Sequence, residues 1–409
     1  MASSMNTDTS HSFSDDRVYP VAIAGGGVVG LTLALALARC GIETIVLEAF
    51  GRAAHSPLGG RHFMVSFGCW RVWRSLGLDK DLADLAEPVW GLSAVCADGT
   101  LGVRAEDGQD GSPLGYMIAE ESLTKVLMRA AKKDTMVTFA PTGAVLAVEA
   151  GPFEVLLRMD TQAVRARLAV GCDGLRSVIR QSSGIRFEGW DYPLKAISAV
   201  VQTVGGHGGV ARQIFTRRGP LAFLPLREGR ANIVWTQPSA AADALMALPE
   251  EDFVEEAASR LGGVVKGARV ATGRQAFRLG SHVADCFHGD RVVLAGDSAH
   301  QIHPLAGQGL NLGLKDVAAL VDVVCDAQKL GLDIGSSVVL SQYTRWRRSD
   351  VVAVAAVMEG FSQIFSGPPL LRALAGATMD LMGSSPAVRS WLMKEAGADT
   401  GDLPTLMRA

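Results

Sequence analysis

Nowhere in its 409 residues does the chain carry the roughly 20 consecutive apolar residues that a membrane-crossing helix needs, although apolar types make up 48% of it. An excess of charge of one sign is missing as well. The formal net charge is −3, which excludes a nucleic-acid partner, since that would call for a basic face. Cysteine is sparse and scattered. The six residues, Cys40, Cys69, Cys96, Cys172, Cys286 and Cys325, show no metal-ligand spacing. They read as reduced and often buried thiols of a cytoplasmic protein, with no zinc site, no other metal site and no disulfide framework. Residues 1–17 are polar and Ser-rich, a disordered tail rather than a signal peptide. No tandem repeat is present. The length suffices for two domains with ample core.

What the chain does have is concentrated in one stretch, Asp290 to Leu320. Val292 to Ala295 is short, β-branched and ended by Gly296, the pattern of a buried strand. Asp297 then stands at the strand's end. Pro304 to Gly309 is a Pro/Gly loop along which backbone can approach a flat ligand. Leu310, Leu312, Leu314, Val317, Ala318 and Val321 follow at helical spacing. A Gly-rich loop entering a helix offers free N–H groups and a positive dipole end, suited to an acceptor with partial negative charge.

A second signal lies near the start. The apolar run Val18 to Ala24 leads into Gly25-Gly26-Gly27-Val28-Val29-Gly30, then a helix, then a strand Glu43 to Leu47 ended by Glu48. Strand, glycine turn, helix and acid in this order form a dinucleotide-binding fingerprint. Gly25 would permit the tight turn, Gly27 the approach of a pyrophosphate, Gly30 close helix packing, and Glu48 would accept from ribose hydroxyls. Arg61 follows another Gly-rich loop, where it either neutralises the pyrophosphate or is merely solvated. Val65 to Leu76 reads as a helix and Asp98-Gly99 as a hairpin turn. Val137 to Phe139, Ala144 to Glu149, Phe153 to Arg158 and Ala163 to Arg167 read as antiparallel strands. A further strand ends at Cys172-Asp173-Gly174. Asp173 accepts there either from helix-end N–H groups or from a ligand hydroxyl.

From Phe187 to Arg278 the texture changes to alternating runs, a mixed or antiparallel sheet. The fold class is therefore α/β: a Rossmann-like domain with an inserted sheet domain and C-terminal helices. The expected division is 18–75, 105–185 and 286–335 for cofactor binding, 76–104 and 186–285 for the substrate sheet, and 336–409 for the helical region. Tyr192, Trp235 and Thr236 are candidates to line a ring pocket between the domains, or equally to lie in the core. His300 and His303 flank the Gly-rich loop and are acid/base or structural candidates. Val338 to Phe365 is helical with a basic cluster at Arg345, Arg347 and Arg348. Leu370 to Met382 is a shorter amphipathic helix, for core packing or a membrane surface.

Three motifs, G-G-G-V-V-G with Glu48, C-D-G-L-R-S-V-I-R, and G-D-S-A-H with H-P-L-A-G-Q-G-L-N-L-G-L-K-D-V, stand in one order. Together they resemble the class A flavoprotein monooxygenases, the para-hydroxybenzoate hydroxylase fold. The last run is similar to the signature of the ubiquinone-biosynthesis ring hydroxylases, and the likeness extends from about Val18 to Met407. It implies FAD along Gly25, Gly27, Val29 and Gly30, with Glu48 on the adenosine ribose. Asp297 would hold the ribityl chain and Pro304 would sit beside the isoalloxazine. The backbone around Gly307, Gly309, Leu310 and Asn311 would face the pyrimidine edge. Asp173 is associated with both FAD and NAD(P)H. Two departures stand out: Ser298 replaces the usual Ala, and Phe63 and Met64 replace small residues after Arg61.

The resemblance also implies the chemistry. NAD(P)H reduces FAD, O2 adds at flavin C4a, and a phenolic ring attacks the resulting hydroperoxide in a dry site. His303, Pro304, Tyr192 and Thr236 are the residues expected nearest that reaction. The favoured substrate is a polyprenylated phenol of ubiquinone synthesis. The alternatives are a small soluble or secondary-metabolite aromatic, an isoprenoid double-bond reductase, and a non-catalytic assembly partner. A flavin halogenase is disfavoured, because W-x-W-x-I-P is absent. A lipophilic substrate suggests peripheral contact with the inner membrane and with quinone-synthesis proteins, and a homo-oligomer is compatible with all of this.

Overall fold

The computed structural model describes residues 17–48, 60–96, 99–104, 106, 111–140, 143–216, 218–302, 307–367 and 402–408. His303, Pro304, the helix expected over Leu370 to Met382 and residues 1–16 lie outside that set.

Five parallel strands form the centre of an eight-stranded sheet. Across it they run Val292–Leu294, Ala163–Gly171, Val18–Ala24, Thr44–Leu47 and Val137–Phe139. Chain order therefore reverses on either side of Val18–Ala24. Ligands of open α/β sheets bind beyond the carboxyl ends of the strands at such a switch point. Apolar strand residues are buried on both faces here: Val21, Ala22, Ile23, Ile45, Val46, Leu168 and Val170 are all fully covered, as parallel sheets require. Val137–Phe139 is a correction to the antiparallel reading. It follows the helix Glu120–Lys133, a crossover that returns the chain parallel to Thr44–Leu47. Ala147–Ala150, Val155–Arg158 and Ala163–Gly171 do form the expected antiparallel meander.

The second sheet has nine strands and is mixed. Its strands pair antiparallel except where Gly91–Cys96 lies parallel to Val210–Thr216. Side chains alternate across it with the strand period of two. Ile197, Leu221, Phe223, Ile233 and Trp235 point to one face, where helices Ser239–Ala247 and Glu250–Leu261 bring Ala242 and Phe253. Trp235 is thus core beneath those helices rather than pocket lining, and its neighbour Thr236 falls on the opposite face. On that opposite face Val200 and Leu224 meet Met64 and Met117 of a small three-stranded sheet, His62–Ser66, Gly115–Ala119 and Glu87–Val89.

The segment expected as a helix over Val65 to Leu76 begins as the strand His62–Ser66. Only Phe67–Ser75 is helical, starting where Ser66 accepts from the N–H of Cys69. The helix Gln308–Lys329 is buried along most of its length, between the first helix, Val28–Arg39, and the long helix Ser337–Ser366. No described helix is long and apolar enough to cross a membrane.

Candidate cofactor and substrate site

The motifs converge because each ends a strand at the same edge of the parallel sheet. Gly25 follows Val18–Ala24 and adopts φ +107°. A Cβ there would lie 2.3 Å from the carbonyl oxygen of Cys172, which follows the neighbouring strand. Gly30 is as constrained: its Cβ would fall 2.0 Å from the Gly25 carbonyl oxygen. Gly27, the cap residue of the helix Val28–Arg39, is different, because a Cβ there meets nothing within 4 Å. Two glycines pack the turn and the third leaves an open face at a helix N-terminus, as a pyrophosphate needs. Glu48 ends Thr44–Leu47 and accepts the N–H of Gly26 through Oε2, which sets the acid beside the glycine turn.

Asp173 performs the capping role. Its Oδ2 accepts from the N–H of Val178 at 2.7 Å and of Ile179 at 3.2 Å. Its Oδ1 is buried without a hydrogen-bond partner among the described residues, so one acceptor remains at the switch point. Arg180, itself buried, donates to the carbonyls of Ser298 at 2.8 Å and Leu175 at 2.7 Å, and so locks this motif to G-D-S-A-H. Ser298, the departure from Ala, joins the two strand ends by donating to the Gly171 carbonyl. Within that buried turn Asp297 alone is exposed. These features fit FAD: an open glycine face, a spare buried acceptor and an outward carboxylate along one sheet edge.

The helix that follows the loop starts at Gly307, in the left-handed region at φ 64°. A Cβ at Gly309 meets nothing within 4 Å, while Leu310 and Asn311 are buried. The Asn311 side chain turns away from that open face. Its Oδ1 accepts the N–H of Ser66 at 2.9 Å and its Nδ2 donates to the Met64 carbonyl at 2.9 Å. The helix start is thereby fastened to the strand that carries Phe63 and Met64. Met64 packs into the cluster between the mixed sheet and the small three-stranded sheet and lies against Gly307, where a glycine Cβ would be 3.5 Å from its own. Its bulk fills the space beneath the helix start. Phe63 carries the Arg61 guanidinium over its ring at 5.1 Å. Arg61 is exposed and lies 3.8 Å from Glu120, a solvated pair of small energetic weight. Val29 packs against Gly296 and Gly313, so the two cofactor-facing helices approach closely there.

Behind this surface lies a charge network that sequence reasoning missed. Asp316 is fully buried and its carboxylate accepts from His300 Nε2 at 2.6 Å, Arg347 Nε at 2.8 Å and the Gly296 N–H at 2.9 Å. Arg347 reaches Asp350 at 2.6 Å in addition. Burial by itself would push the Asp316 carboxyl up. His300 and Arg347 outweigh it and hold the group down at about 2. The available signal was Asp316 itself, an acid one turn from Leu312 and from Leu320 on a buried stripe. Arg347 therefore belongs to the interior and not to an exposed basic patch. Arg348 is exposed and donates to the Ala284 carbonyl at 3.3 Å. His300 has a structural partner.

Thr236 is buried on the sheet face that carries Val200 and Leu224. Tyr192 stands apart from the sheet edge described above. It lies where Phe187–Gln202 changes register, and its hydroxyl donates to Glu359 of the long helix. Burial first, then Glu359, pushes the phenol up to about 12. His62 begins the small-sheet strand with Nδ1 buried and without a hydrogen-bond partner among the described residues. Burial is the main cause that brings its pKa down to about 4, against a hydrogen bond with the Gly60 backbone.

Comparison with known proteins bears on what this edge holds. A family described as "FAD binding domain" matches residues 18–355. Ubiquinone hydroxylase UbiL of Rhodospirillum rubrum is 33% identical over 90% of this chain and 88% of its own length. The 3-demethoxyubiquinol 3-hydroxylase of Escherichia coli is 34% identical over 86% of this chain and 91% of its own. In fold, the chain resembles p-nitrophenol 4-monooxygenase PnpA of Pseudomonas putida, with TM-score 0.78 and 20% identity, over 94% of this chain and 99% of the other.

Two predictions follow from the site's electrostatics. Arg347→Met leaves the buried Asp316 carboxylate short of its cation and should cost about 3–5 kcal/mol in denaturant unfolding, with Arg347→Lys losing less. His62 is depressed in the folded chain, so the unfolded chain takes up its proton first. Stability should fall as pH drops from about 6.5 to about 4, by on the order of 2–3 kcal/mol. His62→Gln should remove that share of the acid sensitivity, read from unfolding midpoints across the range.

Proposed function

The chain belongs to the family of FAD-binding aromatic-ring monooxygenases, and from that membership we propose that it hydroxylates a polyprenylated phenol on the way to ubiquinone. The carrying observation is the meeting, at one sheet edge, of Gly27, Asp173, Asp297 and the helix start at Gly307, together with near full-length similarity to relatives named as ubiquinone hydroxylases. FAD, reduced by NAD(P)H, supplies the activation of O2 when bound. The protein's part is to bind, orient and keep dry. Gly27 admits the pyrophosphate to a helix N-terminus, Glu48 faces the adenosine end and Asp297 the ribityl chain. The helix dipole at Gly307–Asn311 favours negative charge on the reduced ring. Thr236, on the sheet face that also carries Val200 and Leu224, is assigned to the side of the sheet turned toward the phenolic ring. His303 and Pro304, next before Gly307 in the sequence motif, are assigned to the reaction from the resemblance alone, whereas Tyr192, bonded to Glu359 away from the strand ends, takes no part in it.

The test is rescue of quinone synthesis in strains each lacking one ring hydroxylase. Wild type should restore one of them, and the intermediate that disappears names the ring position. Asp297→Ala should purify depleted of FAD and restore none. An Asp297→Ala protein with full FAD occupancy overturns the role of that residue. NAD(P)H-coupled oxygen uptake with a small soluble phenol, without rescue, favours the secondary-metabolite reading. Rescue of no strain and no oxygen uptake favours the reductase or the assembly partner.

We further propose that the prenyl tail is delivered from a membrane surface. Support comes from Val352, Val357 and Ile364, apolar side chains exposed on the long helix, and not from Arg347. Co-sedimentation with liposomes should exceed background. Binding that stays at background with and without anionic lipid removes the idea.

A further inference from the structure

Away from the strand ends, the long helix Ser337–Ser366 and the mixed sheet enclose a cleft of about 490 Å³. Trp190 and Val283 line it from the sheet. Val352, Ala356, Glu359 and Gln363, on one face of the helix, line it from the other side. Trp190 is 52% exposed although it lies within a strand. The backbone beneath it is closely set, since a Cβ at the neighbouring Gly189 would fall 1.9 Å from the Ser281 carbonyl oxygen. From Val351 to Ser366 the helix carries a single charged residue, Glu359. Val352, Val357 and Ile364 are exposed on the same stretch.

Glu359 is held in place by two neutral donors. It accepts from the Tyr192 hydroxyl through Oε2 and from Gln363 Nε2 through Oε1 at 2.9 Å. Among the described residues no lysine or arginine pairs with it. The neighbouring acids are already answered, Glu188 by Arg186 at 3.4 Å and Asp191 by His282 at 3.8 Å. The Tyr192 ring meets that of Trp190 edge to face, with centroids 6.2 Å apart. A fixed carboxylate without a cation therefore stands one ring away from an exposed indole, within an apolar surface.

We propose that this cleft binds the ammonium head group of a membrane phospholipid, with the cation between Glu359 and Trp190 and the chains along the exposed face of the helix. The proposal rests on the membrane-surface reading above and names the lipid chemistry for it. A carboxylate turned toward a bilayer is costly unless a cation meets it. An indole face attracts an alkylammonium through its ring quadrupole, and tryptophan favours the membrane–water interface. An uncharged glycerol head group supplies no such cation and leaves only the lipid phosphate near Glu359, which repels it. A lysine or arginine of a partner protein carries the same charge as the ammonium group. Protein interfaces, however, are rimmed by polar residues, and this helix stretch offers no second charge for such a rim.

The test titrates full-length holoenzyme with dihexanoyl phosphatidylethanolamine and with dihexanoyl phosphatidylglycerol, both kept monomeric, and reads calorimetric heat and tryptophan fluorescence. The ethanolamine lipid should bind saturably, and the glycerol lipid about tenfold more weakly or not at all. Glu359→Gln keeps a hydrogen-bonding side chain of the same shape and should retain FAD, yet weaken ethanolamine-lipid binding about tenfold. Trp190→Phe should remove most of the fluorescence change. Equal binding of the two lipids, or unchanged binding by Glu359→Gln, overturns the proposal. Tighter binding of an acetylated Leu-Arg-Leu peptide also overturns it and gives the cleft to a partner polypeptide. Monomeric lipids need no bilayer, so background co-sedimentation with liposomes removes membrane delivery while this titration decides the cleft.

Discussion

One buried carboxylate organises the site from behind. Asp316 sits in apolar surroundings where an isolated charge would be untenable. His300 and the Gly296 N–H reach it from the strand-end turn and Arg347 from the long C-terminal helix. Through these bonds the long C-terminal helix, the strand-end turn and the helix after the Gly-rich loop share one anchor. Asp297, one residue beyond Gly296, is aimed outward because the residue before it is fixed inward. A buried ion pair of this kind adds little net stability against an apolar replacement, yet removing one member is costly. Its value here is register: it sets where the turn ends and where the outward carboxylate stands.

Around that anchor the architecture is a meeting of edges. The switch point of the parallel sheet gathers Gly25, Asp173 and Gly296 within one row of strand ends. Arg180 and Ser298 stitch neighbouring ends together. Asn311 extends the stitching to the small sheet, and Met64 fills the gap beneath. The wide mixed sheet packs Trp235 and Phe253 beneath its helices on one face, and on the other Val200 and Leu224 meet Met64 and Met117.

Much of this was legible in the residues. Parallel strands announced themselves as short apolar runs ended by Gly and an acid, and the glycine spacing named a nucleotide edge. Helices of three turns or more were located well, because their periodicity is sustained, whereas the shorter Ser239–Ala247 went unread. The misreadings share a cause: they concern local segments whose fate is decided by distant partners. Val65 and Ser66, expected at the start of a helix, carry no helix-breaking residue, and their pairing with Tyr116 and Gly115 makes them strand. Val137–Phe139 is too short to show its direction, which the preceding crossover helix sets. Asp316 stands on the apolar stripe of its helix, but its partner Arg347 lies 31 residues on, beyond any local pattern. Trp235 and Thr236 were grouped together although adjacent strand residues face opposite ways.

Threading imposes a further condition. The glycine turn at Gly25 and the helix start at Gly307 belong to one nucleotide edge, yet nearly three hundred residues separate them, and Arg347 lies later still. During synthesis the first strands would stand as half a receptacle, with glycines exposed and no opposite jaw. Such late-closing topologies fold slowly and leave sticky intermediates. Prosthetic-group capture in this chain is therefore a terminal event of biogenesis, and a ribosome halted before the long C-terminal helix would release a polypeptide unable to retain its pigment.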